Sequence, residues 1–241
     1  MPLNKFKAIF FDFGNTLIPL GQKELDYIDQ ETFSFLEKHL GKIDFEKFKQ
    51  TRDKTKERPY QDIPPTFIEN SIQEVIQDML FPFTDSLDLL NPLLDIRRKS
   101  FIKCGKMPKY LPNLLKTLSN HFQLSIVSNY PDSYPIISIL EKFNLTKYFN
   151  SIIVSGDIGY VKPSSIIFEK ALNEINCKPD EVLFVGDNWY MDIIGASKIG
   201  MATAYTKEWV DKKTFDEGLK HCNPVFILNN LQDLIGFCIK Q

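Results

Sequence analysis

The sequence of 241 residues predicts an α/β fold, in which helices cover both faces of a parallel sheet and an all-helical segment is inserted near the N-terminus. Two observations support this prediction. From about residue 106 onward, short apolar runs alternate with amphipathic helical patterns. Between about residues 20 and 105, only helical patterns occur. Alternating strands and helices are typical of parallel sheets, in which ligands bind at the carboxyl ends of the strands.

Six apolar runs are the predicted strands: residues 8–11, 124–127, 152–154, 182–185, 201–205 and 225–228, of which the last is the weakest. Three amphipathic patterns between them predict helices over residues 111–118, 136–143 and 167–175. Strands that alternate with helices in this order form a parallel sheet, since each pair of strands needs a crossover connection.

The inserted segment carries three further stripes of apolar residues at helical spacing, over residues 25–40, 68–79 and 87–94. Prolines interrupt these stripes, as residues without a backbone donor should: Pro59, Pro64, Pro65 and Pro82. We therefore expect a core domain made of residues 1–19 and 106–241, and a helical module made of residues 20–105.

Composition and charge exclude several classes of protein. Hydrophobic residues make up 43% of the chain and charged residues 25%, which is ordinary globular usage. The net charge of -2 offers no basic surface for nucleic acid or for an anionic membrane. The first residues lack the apolar stretch of a signal peptide, and no run approaches the ~18 apolar residues of a membrane span. The four cysteines form no C-x-x-C pair, so we expect a cytoplasmic protein with free thiols.

An aspartate, Asp12, directly follows the first predicted strand, and Gly14 lies two positions later. A carboxylate at the end of a buried strand is unfavourable unless it is paired, hydrogen-bonded or bound to a metal. A glycine beside it permits the close backbone approach that a ligand loop needs. The same residues also occur in an ordinary strand-to-turn transition with a capping aspartate.

Further polar residues lie directly after the second predicted strand and just before the helix predicted over residues 167–175. Ser128 and Asn129 could hold a phosphate at a helix N-terminus, although both types are common helix caps. Lys162 lies between Gly159 and Pro163, where it could place an ammonium group beside a phosphate or be a solvated surface residue.

Two carboxylates accompany the fourth strand. Asp187 follows it in a Gly-Asp pair, and Asp192 lies five residues further on in a predicted helix. Carboxylate oxygens suit a hard cation such as Mg²⁺, although both residues could instead be caps. In the inserted segment and the core, Arg58, Tyr60 and Tyr130 are weaker candidates for substrate contacts.

Taken together, these segments resemble the haloacid dehalogenase-like hydrolase superfamily over the whole chain. The resemblance depends on the order in which the residues occur: Asp12, Ser128, Lys162, the Gly186-Asp187 pair and Asp192. It implies a Rossmann-like core and the branch of the superfamily that carries a helical cap after the first strand. Residues 20–105 would be that cap.

The resemblance also implies the roles of the site residues. Asp12 would be the nucleophile that attacks phosphorus and forms an aspartyl-phosphate. Mg²⁺ would be held by Asp12, the backbone carbonyl of Gly14 and Asp187, and it would offset the charge between nucleophile and phosphate.

Four more roles follow from the same resemblance. Ser128, the backbone of Asn129, and Lys162 would bind the phosphoryl oxygens, which makes Lys162 a second catalytic residue. Asp192 would orient metal-bound water or Lys162. The implied substrate is a small phosphorylated metabolite.

The sequence departs from the superfamily at Gly14, where its phosphatases usually carry a second aspartate as general acid and base. The loss of such help typically costs ~10²–10⁴-fold in rate, and the neighbouring Asn15 cannot titrate. The prediction is a Mg²⁺-dependent phosphatase. The alternatives are a metal-independent 2-haloacid dehalogenase, a phosphotransferase or mutase, and a catalytically weak binding or regulatory protein on the same scaffold.

Overall fold

A computed structural model, which describes residues 6–238, confirms the predicted α/β fold. The six strands are β1 (Ala8–Phe11), β2 (Gln123–Ser128), β3 (Ser151–Val154), β4 (Val182–Gly186), β5 (Ala202–Thr206) and β6 (Phe226–Leu228). All their pairings are parallel, in the order β3-β2-β1-β4-β5-β6. Each predicted run coincides with a strand to within one residue at either end. Residues 1–5 and 239–241, at the ends of the predicted core range, lie outside the described residues.

Helices cover both faces of the sheet. The core helices are α5 (Leu111–Ser119), α6 (Ser133–Lys142), α7 (Ser155–Ile158), α8 (Ser165–Ile175), α9 (Gly195–Lys198), α10 (Lys212–Gly218) and α11 (Asp233–Cys238). Side chains of β1 alternate between the two faces, as the pleat requires. Ile9 and Phe11 pack in one hydrophobic cluster with α5 and α6, while Ala8 and Phe10 pack in another with α8. The three predicted core helices are thereby confirmed, and the central strand is buried on both sides.

Four helices occupy the chain between β1 and α5: α1 (Gln22–Leu40), α2 (Phe45–Glu57), α3 (Ile72–Leu80) and α4 (Leu90–Cys104). They share a hydrophobic cluster of their own, which includes Phe33, Phe48, Met79 and Leu93. Ile28 of α1 and Phe101 of α4 instead pack in the core cluster. The helical segment therefore has its own packing and also rests on the sheet domain. Among the described residues, no helix is both long enough and apolar enough to cross a membrane.

Three details of the helical segment differ from the predictions. The helix α2 had no predicted stripe, because its sequence is largely charged and only Phe48 and Thr55 are buried. Ile68 is not helical, since it forms an isolated antiparallel bridge with Tyr160 and is 54% exposed. Leu87 lies in a short 3₁₀ turn before α4 and is 64% exposed. The spacing of apolar residues predicted that these two helices begin at Ile68 and Leu87. In the structure, the helices begin later in the chain.

Candidate active site

The ends of three neighbouring strands meet at one edge of the sheet. Asp12 follows β1, Ser128 ends β2 and Asp187 follows β4, and β1 lies between the other two strands. The backbone N–H of Asp12 donates to the carbonyl of Val185 at 2.9 Å, so Asp12 is held at the strand end. A cavity of about 220 Å³ opens at this edge, and all seven predicted site residues line it: Asp12, Gly14, Ser128, Asn129, Lys162, Asp187 and Asp192.

Lys162 is buried at the centre of this edge and uses all three of its protons. Its Nζ donates to Asp12 Oδ1 at 2.7 Å, to Asp192 Oδ1 at 2.7 Å and to the carbonyl of Val127 at 2.8 Å. An ammonium group has three donors, so these partners satisfy it fully. Burial acts to lower the pKa of Lys162, but the two carboxylates hold it above its usual value. Lys162 is therefore a fixed positive charge beside Asp12.

Asp192 holds this lysine in place. Its Oδ1 accepts from Lys162 and its Oδ2 accepts from the backbone N–H of Asn188 at 2.9 Å. The close approach requires Gly186, because a Cβ at that position would collide with the Asp192 carboxylate. Asp192 lies in a six-residue turn with π-helical hydrogen bonding, Trp189–Ile194, rather than in a regular α-helix. Both of its oxygens are engaged, which suits an orienting residue.

The aspartate–lysine cluster, which consists of Asp12, Lys162, Asp187 and Asp192, carries more negative than positive charge. Its three aspartates each offer one carboxylate oxygen, and these three atoms lie within 4.8 Å of one another. Burial raises the pKa of Asp12 to about 6, against the lowering effect of Lys162. Burial, followed by the charges of Asp12 and Asp192, holds the pKa of Asp187 well above its usual range. Three carboxylates face one ammonium group, so this buried site favours a cation.

The donor set at this point fits Mg²⁺. Asp12 and Asp187 offer carboxylate oxygens, and Gly14 lines the same cavity and offers a backbone carbonyl. Mg²⁺ binds such oxygens and keeps several of its waters. Thr16, for which the sequence suggested no role, is fully buried and donates its hydroxyl to Asp187 Oδ1 at 3.4 Å. It thus orients the carboxylate that faces Asp12.

The loop after β1 closes on itself around Asn15. This residue has a positive φ of 52°, a conformation that asparagine tolerates. Its side chain accepts from the backbone N–H of Leu20 at 3.1 Å, and its own N–H donates to the carbonyl of Ile18 at 2.8 Å. Asn15 lines the cavity, but the oxygen of its side-chain amide stabilises the loop through the bond to Leu20.

Asn129 connects the sheet edge to the helical segment. Its side chain pairs with the backbone of Lys162, accepting from the N–H at 2.7 Å and donating to the carbonyl at 3.0 Å. It also donates to the hydroxyl of Tyr60 at 3.1 Å. Tyr60 lies just after α2 and its hydroxyl donates to the carbonyl of Lys162 at 3.3 Å. The Asn129 side chain therefore positions Lys162, which leaves Ser128, buried beside it, as the free polar side chain of this strand end.

Of the three weaker candidates for substrate contacts, two lie at the site and one lies away from it. Tyr60 reaches the edge of the site, and Tyr130 lines the cavity. Burial raises the pKa of Tyr60 to about 12, so its hydroxyl stays protonated. Arg58 instead forms an ion pair with Asp78 at the surface of the helical segment.

Comparison with known proteins agrees with this geometry. The family model described as haloacid dehalogenase-like hydrolase matches residues 9–206, which include every predicted site residue. A glyceraldehyde 3-phosphate phosphatase of Pyrococcus furiosus is 25% identical over 221 residues, which cover 85% of this chain and 82% of that protein. The pyrophosphatase PpaX of Bacillus cereus is 32% identical over 96 residues, which cover 40% of this chain and 43% of that protein.

Solved structures share the fold over nearly the whole chain. A 2-haloacid dehalogenase from Pseudomonas syringae superposes with a TM-score of 0.71 at 20% identity, and 96% of this chain and 97% of that chain are covered. The HAD-hydrolase YfnB from Bacillus subtilis, bound to magnesium, superposes with a TM-score of 0.68 at 17% identity, covering 97% and 98%. At these identities the likeness shows the fold alone.

Proposed function

The chain belongs to the haloacid dehalogenase-like hydrolases, and from this membership we propose that it is a Mg²⁺-dependent phosphatase. Its substrate would be a small phosphorylated metabolite of the cytoplasm. The observation that carries the proposal is the excess of buried negative charge in the aspartate–lysine cluster, which suits a cation. The relatives that are named as phosphatases support the same reaction class.

In the first step, a carboxylate oxygen of Asp12 attacks phosphorus. The bond between phosphorus and the ester oxygen breaks, and an aspartyl-phosphate forms on Asp12. Asp12, Asp187 and the Gly14 carbonyl would hold Mg²⁺, which would supply positive charge to offset the repulsion between the carboxylate and the phosphate. Ser128 and the backbone N–H of Asn129 bind the phosphoryl oxygens, and Lys162 stabilises their charge from behind Asp12.

In the second step, water attacks the aspartyl-phosphate, releases inorganic phosphate and restores the Asp12 carboxylate. Each step needs a proton transfer, first to the leaving oxygen and then from the attacking water. Gly14 has no side chain to perform either transfer, so we propose that solvent water does so. The enzyme should therefore favour esters with good leaving groups.

We also propose that the helical segment of residues 20–105 is a cap domain on a core made of residues 1–19 and 106–241. The contact of Tyr60 with Lys162 and Asn129 supports this division, because it brings the segment to the edge of the site. A cap at this position excludes water from the reacting groups and contacts the leaving group.

A metal-independent 2-haloacid dehalogenase is the alternative that Gly14 favours. Such an enzyme uses an aspartate nucleophile and lacks the second aspartate. Its site would carry no surplus of negative charge, whereas here Asp187 adds a buried carboxylate beside Asp12. The charge of the cluster therefore favours the phosphatase.

Hydrolysis of para-nitrophenyl phosphate tests the proposal. This ester has a good leaving group, so the glycine at position 14 should not hide an active nucleophile. We expect release of nitrophenol with Mg²⁺, loss of release with EDTA, and loss of release in Asp12→Asn. The matched control is Asp62→Asn, which removes an exposed carboxylate and should leave the rate unchanged.

Two results would contradict the proposal. Release of nitrophenol that continues in EDTA would show that the reaction does not need a metal. Turnover of haloacids in EDTA would then establish the dehalogenase. No release from the folded wild-type protein would indicate a binding or regulatory protein.

A further inference from the structure

A second cavity, of about 440 Å³, lies between the helical segment and the sheet domain. Its walls are mostly apolar side chains from both sides: Leu25, Ile28, Val75, Met79, Phe101 and Val161. Five residues line both this cavity and the smaller one at the sheet edge: Leu25, Phe101, Asn129, Tyr130 and Met191. A ligand whose phosphate lies beside Asp12 would therefore extend its leaving group into the second cavity.

The polar side chains of this second cavity include a buried cluster of charges, here called the cap cluster: Asp29, Arg52 and Arg97. Asp29 is 5% exposed and forms ion pairs with both arginines, through Oδ2 to Arg52 and through Oδ1 to Arg97. Arg52 also contacts the exposed carboxylate of Asp53 at 2.8 Å. Arg52 thus has two carboxylate partners, although its Nε makes no hydrogen bond, whereas Arg97 shares a carboxylate that another arginine already binds.

Arg97 keeps donors for a ligand. Its contact with Asp29 is 3.5 Å, longer than the ~2.8 Å of a charge-assisted hydrogen bond. Its Nη1 donates to the hydroxyl of Thr32 at 3.2 Å. Burial raises the pKa of the Tyr130 hydroxyl to about 12, and the charge of Arg97, together with a hydrogen bond from it, acts against that rise. A guanidinium has five N–H donors in a planar fork that matches carboxylate and phosphate oxygens.

The other charged side chains of the cavity have hydrogen-bond partners of their own or lie at its rim. Glu69 lines it, but its oxygens accept from Ser155 Oγ at 2.5 Å and from the N–H of Asn70 at 2.8 Å. Lys56 and Glu57 are exposed at its rim and have opposite signs.

We propose that the second cavity holds the leaving group of the substrate, and that this group is an apolar body ending in an anionic group bound by Arg97. The inference rests on the proposed phosphatase function and names the class of its substrate. A water occupies about 30 Å³ in the liquid, so the cavity has the volume of about fifteen waters. A triose would leave most of that apolar space unfilled. The substrate class thus differs from that in the name of the Pyrococcus furiosus relative.

A matched pair of substrates tests the proposal in the wild-type enzyme. The pair is para-carboxyphenyl phosphate and para-carbamoylphenyl phosphate, which have the same shape and differ by one negative charge. We expect kcat/KM to favour the carboxylate by about tenfold or more, the scale of a charged hydrogen bond in a buried site. The bisphosphate of hydroquinone distinguishes a second phosphate from a carboxylate as the preferred anion. Glyceraldehyde 3-phosphate should be a poorer substrate than the preferred aryl ester.

Variants at Arg97 and Val75 then assign the effect to the cavity. Arg97→Gln should abolish the preference for the charged ester, and Arg97→Lys should retain part of it. Lys99→Gln removes an exposed charge from the same helix and should keep the full preference. Val75→Phe fills the apolar space and should lower kcat/KM for both aryl esters more than for glyceraldehyde 3-phosphate.

The outcomes separate the two proposals. If para-nitrophenyl phosphate is hydrolysed but neither anionic ester is preferred to the amide, the substrate class is wrong and the phosphatase stands. If the preference exists but survives in a folded Arg97→Gln, the role of Arg97 is wrong. If the wild-type protein hydrolyses no phosphate ester, both proposals fall.

Discussion

Two buried groups of charged side chains lie within this protein, and they use their hydrogen-bonding capacity to different extents. In the aspartate–lysine cluster, Lys162 donates three bonds of 2.7 to 2.8 Å and Asp192 accepts at both oxygens. In the cap cluster, Arg97 has one carboxylate contact, at 3.5 Å, with a partner that is shared. The saturated cluster has a fixed geometry, as the proposed chemistry requires, whereas Arg97 in the unsaturated one retains donors for the proposed ligand.

The largest effect should follow from removing the lysine of the saturated cluster. Lys162→Met leaves three buried carboxylates without their counter-charge, and breaking a buried pair in this way costs about 3–5 kcal/mol. We expect urea denaturation to show that loss in the free energy of unfolding, together with loss of activity. Lys170→Met removes an exposed lysine paired with Glu174, and it should cost at most ~0.5 kcal/mol. If both variants lose the same free energy of unfolding, the buried contacts of Lys162 stabilise the protein no more than an exposed ion pair does.

A smaller effect, on the rate, should follow from Gly14→Asp. A Cβ at position 14 would lie 3.7 Å from that of Leu20, so a side chain fits there. The new carboxyl group could protonate the leaving oxygen, and we expect hydrolysis of alkyl phosphates to rise by up to ~10²-fold. Para-nitrophenyl phosphate should gain much less, because its leaving group needs little assistance. The control is Gly14→Asn, whose side chain has the same size as aspartate but cannot donate a proton as an acid. A similar gain in the hydrolysis of alkyl phosphates by that variant would contradict the role of the new carboxyl group.

Removing one carboxylate from the aspartate–lysine cluster should stabilise the metal-free protein. Burial and two like charges raise the pKa of Asp187, which means that its ionised form opposes folding at pH 8. Asp187→Asn should therefore have a higher free energy of unfolding than the wild type in EDTA. Mg²⁺ should raise the melting temperature of the wild-type protein by linkage, and the variant should lose most of that shift.

Asp62→Asn serves as the control for this experiment, since its carboxylate is exposed. A metal-free Asp187→Asn protein that is no more stable than the wild type would show that the cluster does not carry surplus charge.

The smallest effect concerns one of the polar contacts between the helical segment and the sheet domain. Tyr60→Phe removes the hydroxyl that contacts Lys162 and Asn129, and a neutral hydrogen bond of this kind contributes about 1 kcal/mol. Urea denaturation should show a loss of that size. Tyr134→Phe, at a 54% exposed position, should change stability by less than ~0.5 kcal/mol. If both variants behave alike, the Tyr60 hydroxyl does not help to hold the helical segment on the sheet domain.

The aspartate–lysine cluster could be predicted from the sequence because strand topology brings its parts together. Asp12 and Asp187 each follow an apolar run, and the carboxyl ends of parallel strands meet at one edge. The hydrogen bonds of Asn129 to the Lys162 backbone could not be predicted, since they depend on where the loop before α8 lies.

The cap cluster could not be predicted in the same way. Arg97, Arg98 and Lys99 are consecutive, and the sequence does not show which of them turns inward. That choice depends on how α1 packs against α4, since Asp29 and Arg97 meet across these two helices. The helix α2 was missed for a related reason: its charged side chains include Arg52, whose partner Asp29 lies on another helix.

The position of β1 in the sheet affects how the protein is made on the ribosome. Ala8 is synthesised early, yet its partners in the sheet are Gln123 and Val182, which emerge much later. The helices from α1 to α4 have local contacts and a hydrophobic cluster of their own, so they can pack while the nascent chain is still growing. The strand β1, which precedes Asp12, can pair with both of its neighbours only after β4 has been synthesised. Translation therefore delivers the helical segment first and completes the surroundings of Asp12 last.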